Sequence, residues 1–141
     1  MINVKSLMLL AIVTVVAVSC ARVFSRNSAR PTQTLTAYST VSVDEFQALI
    51  ADANVQLLDV RTRDEFDEGH IAGAILVDVN ESNFVEQAMS MLDKQRPVAV
   101  YCRSGRRSAR AASLLTEKGY TVTNLGGGVM AWQDAGKTLV K

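Results

Sequence analysis

The chain has 141 residues, enough for one hydrophobic core of ordinary size, so a single folded domain is expected. Lys and Arg number 15 against 14 Asp and Glu, a formal net charge of +1. That balance excludes the overall charge excess of a nucleic-acid-binding or membrane-surface protein, and any electrostatic function is local.

Lys5 precedes a nearly unbroken apolar run over residues 7–18 that ends at Ser19-Cys20, the pattern of a signal peptide over residues 1–20. Ala17-Val18-Ser19-Cys20 resembles the lipobox of bacterial lipoproteins, in which the Cys becomes the lipid-bearing first residue of the mature chain. The departure is Ala17, where those proteins usually carry Leu. Cleavage after Ala21, or an uncleaved anchor over residues 6–24, are the alternatives. The protein is therefore expected to be exported, periplasmic or membrane-anchored through lipid on Cys20, with no other membrane contact. Residues 21–38 are polar, include Pro31 and lack a sustained apolar period, as a flexible linker would. The folded domain is expected over residues 39–141.

Val41 and Val43 predict a short first strand, and Ser42 and Glu45 have capping-box spacing ahead of a helix with Phe46, Leu49 and Ile50. The run VQLLDV over residues 55–60 predicts a strand covered on both faces. Thr62 and Glu65 repeat the capping-box spacing before a brief helix stopped at Gly69-His70. A third strand is expected over residues 74–79. A helix over residues 83–92 follows, with Phe84, Ala88 and Met91 or Leu92 on one face and with Met89 and Met91 as packing residues. Residues 97–101 (PVAVY) predict a fourth buried strand, with Pro97 tolerated at its first position. Ser108 is a candidate cap for a helix through Ala111, Ala112, Leu114 and Leu115, ended by Gly119. A fifth strand is expected over residues 120–124, and Gly126-Gly127-Gly128 leads into a short helix around Met130 and Trp132.

Five strands alternating with helices imply an α/β fold of three layers, α/β/α, with a five-stranded, mainly parallel sheet and helices on both faces. Ligands of such sheets sit beyond the carboxyl ends of the strands. The segment Cys102-Arg103-Ser104-Gly105-Arg106-Arg107-Ser108 falls there. Once Cys20 is removed or acylated, Cys102 is the only thiol, which excludes a disulfide framework. A thiol between a strand end and a helix start faces unpaired backbone N–H groups and the positive end of a helix dipole, so its thiolate is favoured. Arg103, Arg106, Arg107 and Arg110 can gather an oxyanion, and Gly105 suits a tight turn that converges N–H groups on the sulfur.

This loop resembles the active-site loop of the rhodaneses, in which the Cys accepts sulfane sulfur and holds it as a persulfide. Leu58-Asp59-Val60-Arg61, Glu65-Phe66, Gly69-His70-Ile71-Ala72-Gly73-Ala74 and Leu125-Gly126-Gly127-Gly128 to Trp132 resemble rhodanese segments in the same order. The resemblance covers about residues 40–136 and implies a sulfurtransferase with Cys102 as nucleophile. It implies substrate contacts from Arg103, Ser104, Gly105, Arg106, Arg107 and Ser108. Its partners would be a small anionic sulfur donor such as thiosulfate and a thiol or cyanide-like acceptor, with no nucleic acid, organic cofactor or metal, and a monomer is expected. A persulfide carrier without turnover is the alternative. Cys-dependent phosphatases and arsenate reductases place Arg six positions after the Cys, whereas position 108 is Ser and Arg107 falls one place short.

The remaining singled-out residues read as supports. Asp59 is expected near the loop and Arg61 as the partner of Glu65. His70 is expected to fix a turn, and Trp132 to pack in the core beside the site.

Overall fold

The computed structural model describes residues 37–141. The expectations for the signal segment, for Cys20 and for the linker as far as residue 36 lie outside the described residues.

Among the described residues ten elements alternate: β1 (Ser39–Val41), α1 (Val43–Ile50), β2 (Gln56–Asp59), α2 (Arg63–Glu68), β3 (Ile75–Leu76), α3 (Phe84–Met91), β4 (Val98–Tyr101), α4 (Arg106–Glu117), β5 (Val122–Leu125) and α5 (Gly128–Asp134). The strands form one sheet in the order β1-β5-β4-β2-β3, and every pairing is parallel. Both capping boxes form as the sequence predicts. The Ser42 and Thr62 side chains accept from the Glu45 and Glu65 amides, and each Glu reaches back to its cap residue, so α1 and α2 begin with their free N–H groups satisfied.

Alternation along the central strands divides the core in two. Leu58, Val98 and Val100 face Phe84 and Ala88 of α3 and Ala111, Ala112 and Leu115 of α4. Leu57, Ala99 and Tyr101 face Phe46 of α1 and Val129 and Trp132 of α5. Helices thus cover both faces of the sheet, giving the expected three layers. Trp132 packs edge-on against Phe46, with ring centroids 6.5 Å apart.

Three local expectations are corrected. The third strand is paired only at Ile75–Leu76, because it is an edge strand; beyond it the Val77 and Val79 amides still donate to Asp59 and Val60. Met89 and Met91 are exposed, at 46% and 51%, and Leu92 takes the inward position beside Ala88. Ser108 does not cap α4. That helix starts three residues earlier, with Gly105 at the cap in a left-handed conformation, φ 90°.

Parallel pairing places the carboxyl ends of β2, β4 and β5 side by side. Asp59, Tyr101 and Leu125 end these strands. The segments that follow, at Arg61, Cys102 and Gly126, therefore meet at one end of the sheet.

Candidate active site

Cys102 leaves β4 and its chain turns back through Arg103 and Ser104 into α4. Its sulfur is the acceptor for the start of that helix. The Gly105 N–H lies 3.1 Å and the Ser108 hydroxyl 3.3 Å from Sγ. Gly105 supplies the left-handed turn that this requires. Burial of Cys102 pushes its thiol pKa up. The Ser108 hydroxyl and the backbone N–H groups of Ser108, Ser104 and Gly105 outweigh burial, so the net direction is below an ordinary cysteine.

Ser108, expected as a cap, is instead fully buried with its hydroxyl on the sulfur. Cys102 is likewise 0% exposed. The loop closes over its own sulfur, leaving Arg103, Ser104 and Arg106 on the outside.

The wall behind the loop is main chain. Gly128 packs so tightly that a Cβ there would stand 2.4 Å from the Cys102 carbonyl oxygen and 2.5 Å from that of Arg103. The Val129 and Met130 amides, at the start of α5, donate to those same carbonyls at 2.8 and 3.1 Å. The glycine run of β5–α5 thus lets a helix start press against the loop and fix two of its peptide groups.

The ion pairs are partnered differently from the expectation. Arg61 pairs with Asp59, not with Glu65: its Nη2 lies 2.6 Å from Asp59 Oδ2, Nε lies 3.0 Å from both carboxylate oxygens, and Nη2 also donates to the Gly69 carbonyl at 2.8 Å. Both residues are buried. Burial disfavours the Arg61 charge, but the Asp59 carboxylate outweighs it and raises the pKa. Glu65 instead grips Arg107 of the loop through two bonds, Nη1 to Oε2 at 2.8 Å and Nη2 to Oε1 at 2.7 Å. That bidentate contact, aided by the Thr62 amide and hydroxyl and opposed by burial, holds the Glu65 carboxyl at about 2. One of the four arginines is therefore neutralised, and Arg103, Arg106 and Arg110 remain exposed.

Asp59 lies at the end of β2, beside Tyr101 in register. It supports the site from below through Arg61 and the Arg61 N–H. Tyr101, which the sequence reading did not single out, accepts the Ile71 amide on its hydroxyl at 3.0 Å. Burial drives its pKa up, and the Asp59 charge adds to that. His70 Nδ1 lies 3.1 Å from the Phe66 carbonyl, its ring stacks on Phe66 at 3.7 Å, and its backbone bridges to Val140. His70 is thus a turn element and stands outside the loop.

Two hollows flank the loop. One, of about 400 Å³, is lined by Ser104, Arg106, Arg107 and Arg110. The other, of about 320 Å³, has buried Arg61 and Val129 at its base and Glu65, Glu68, Arg103, Met130 and Gln133 around it. Among the described residues, no group of three or more His, Cys, Asp and Glu could hold a metal ion.

A thiol gripped by loop amides, cations that gather an anion and a glycine-lined wall together form a site for a nucleophilic sulfur. Known proteins resemble this chain in sequence and fold. The chain is 40% identical over 111 residues to thiosulfate sulfurtransferase 18 of Arabidopsis thaliana, covering 70% of this chain and 82% of that one. It is 35% identical over 103 residues to thiosulfate sulfurtransferase GlpE of Shewanella oneidensis, covering 72% and 98%. The crystal structure of a rhodanese-related protein from Thermoplasma volcanium superposes with a TM-score of 0.65 at 27% identity, covering 73% of this chain and 98% of that one. Residues 42–135 match the rhodanese-like domain, a span that runs from the Ser42 cap to the end of α5, and the chain belongs to that family.

Proposed function

We propose that this protein is a sulfurtransferase that takes sulfane sulfur from a small anionic donor of the thiosulfate type onto Cys102 and passes it to a nucleophilic acceptor. The observation that carries this is the convergence of the Ser108 hydroxyl and the loop amides on Sγ. These donors stabilise the anion before attack and again when it is the leaving group. The relatives named as thiosulfate sulfurtransferases support thiosulfate as donor.

In the first step the Cys102 thiolate attacks the outer sulfur of thiosulfate. A new S–S bond forms, the donor's S–S bond breaks, and sulfite leaves with the electron pair. In the second step an acceptor nucleophile attacks the outer sulfur of the persulfide and Sγ departs as thiolate. Neither step routes a proton through a general base, since the donors around Sγ favour the thiolate. Because Sγ is covered, the donor gains it only when the outer part of the loop parts.

At the position where phosphatase-type loops carry Arg, Ser108 presents a hydroxyl to sulfur. That favours sulfur over phosphoryl chemistry. We also propose export, on the strength of the apolar run over residues 7–18 and the Cys20 motif; the mass of the mature N-terminus decides it.

The test is intact mass after incubation with thiosulfate. The wild-type protein gains about 32 Da, one sulfur, on a covalent intermediate, and Cys102→Ser does not. An adduct that survives the substitution overturns the assignment. Repeated turnover with cyanide identifies an enzyme, whereas a single round of loading identifies a carrier.

A further inference from the structure

The two hollows beside the loop differ in charge. The larger presents three arginines and one serine and suits a simple anion. The smaller presents both signs on one lining: Arg103, Glu68, Gln133 and the half-exposed side chain of Met130. The Arg107–Glu65 pair stands between them, for Arg107 lines one hollow and Glu65 the other. Its charges satisfy each other. Arg103 and Glu68 have no salt-bridge partner among the described residues.

The base of the smaller hollow is built rather than incidental. Arg61 is 5% exposed, and its Nε and Nη2 are committed to Asp59 and the Gly69 carbonyl, while Nη1 takes part in none of these bonds. A second hollow sharing Arg61, Glu65, Glu68 and Gln133 continues it toward Leu139.

We propose that the hollow between Arg103 and Glu68 receives the sulfur acceptor, and that this acceptor is a small thiol carrying both a carboxylate and an ammonium group. The proposal rests on the sulfurtransferase reading and adds to it the acceptor's chemical class and place. The carboxylate pairs with Arg103 and is met at the base by Nη1 of Arg61. The ammonium pairs with Glu68, and the methylene stem lies on Val129 and Met130. Val129 and Met130, which line the hollow, hold the Cys102 and Arg103 carbonyls through their amides, so an acceptor seated there lies against the loop. The thiol loses its proton to solvent and its thiolate attacks the outer sulfur of the Cys102 persulfide. One S–S bond forms to that sulfur as its bond to Sγ breaks, the electron pair returns to Sγ as thiolate, and the outer sulfur leaves on the acceptor as a persulfide anion. A donor without an ammonium group gains nothing from Glu68 and is directed to the arginine hollow.

The experiment loads the full chain with thiosulfate and discharges it at equal thiolate concentrations of cysteine, 3-mercaptopropionate (no ammonium) or cysteamine (no carboxylate). Cysteine is expected to act about tenfold faster than either analogue at low concentration, the effect of one charge-assisted contact. In Glu68→Gln the cysteine and cysteamine rates fall about tenfold, and that of 3-mercaptopropionate changes by less than about twofold. In parallel, unreactive S-methylcysteine shifts the Met130 methyl and Gln133 side-chain amide resonances of the wild-type protein and not of Glu68→Gln. An adduct that all three thiols discharge without preference overturns this proposal alone, as does S-methylcysteine that leaves both resonances unmoved. Failure to form the adduct on Cys102 overturns the sulfurtransferase reading and this proposal with it.

Discussion

Glu65 and Arg107, 42 positions apart, join the cap of α2 to the start of α4 through two parallel hydrogen bonds of 2.8 and 2.7 Å. The same carboxylate accepts the Thr62 amide at 3.1 Å, so one side chain both starts a helix and holds the active-site loop. Arg107 is raised by this contact, as Glu65 is lowered.

The depressed carboxyl has a signed consequence. A carboxylate whose folded pKa lies below its unfolded value stabilises the fold above the unfolded pKa and ceases to do so as pH falls through the folded one. With Glu65 moved from 4.5 to about 2, its contribution is complete above about pH 5 and disappears between there and pH 2. Partial exposure screens the pair, so its contribution is of order 2 kcal/mol. Urea unfolding of Glu65→Gln should therefore show a deficit of that order at pH 7 that shrinks steadily below pH 4.5. A deficit independent of pH would show that the amide's shape, and not the lost charge, is responsible.

Ser108→Ala tests the sulfur's environment. The hydroxyl is the leading influence lowering the Cys102 pKa, so its removal moves the ultraviolet thiolate titration toward higher pH, read against Cys102→Ser as blank. Sulfur transfer at neutral pH should fall about three- to tenfold, the effect of one hydrogen bond to a charged group, and recover as pH rises. A uniform loss across pH would mean that the loop had been displaced instead.

The sequence carried the fold because its signals are local. Capping boxes at Ser42–Glu45 and Thr62–Glu65, apolar runs of strand length and glycines after the strands each act within a few residues, and each formed. The site's partners were legible only where the chain itself supplies proximity. Asp59 and Arg61 are two apart on an extended segment and so share a side; that spacing is the signal that would have paired them. Arg107 with Glu65 and Gly128 with Cys102 depend on which strand ends become neighbours, and nothing near those residues records it. Ser108 was misplaced because the sulfur occupies the acceptor position that a serine would take in an ordinary cap.

The buried pair at the base makes a sharper demand. Asp59→Asn leaves the Arg61 guanidinium 5% exposed with its countercharge gone, and breaking a buried pair from one side costs about 3–5 kcal/mol. Thermal or urea unfolding should show a loss of that size.

The last prediction separates backbone conformation from close approach. Gly128 and Gly73 both have positive φ, 61° and 84°, but a Cβ at Gly128 would strike the Cys102 and Arg103 carbonyls at 2.4 and 2.5 Å, whereas one at Gly73 would meet nothing within 4 Å. Gly73→Ala therefore carries only the conformational penalty, about 1 kcal/mol, and leaves sulfur loading intact. Gly128→Ala must also push the start of α5 away from the loop, breaking the amide contacts from Val129 and Met130. It should cost about 3 kcal/mol or more. In the folded fraction the thiolate titration should shift upward, because the peptide groups that aim at Sγ are no longer fixed. Equal losses in the two variants, with an unchanged titration in both, would show that the glycine wall serves the turn alone and does not position the sulfur.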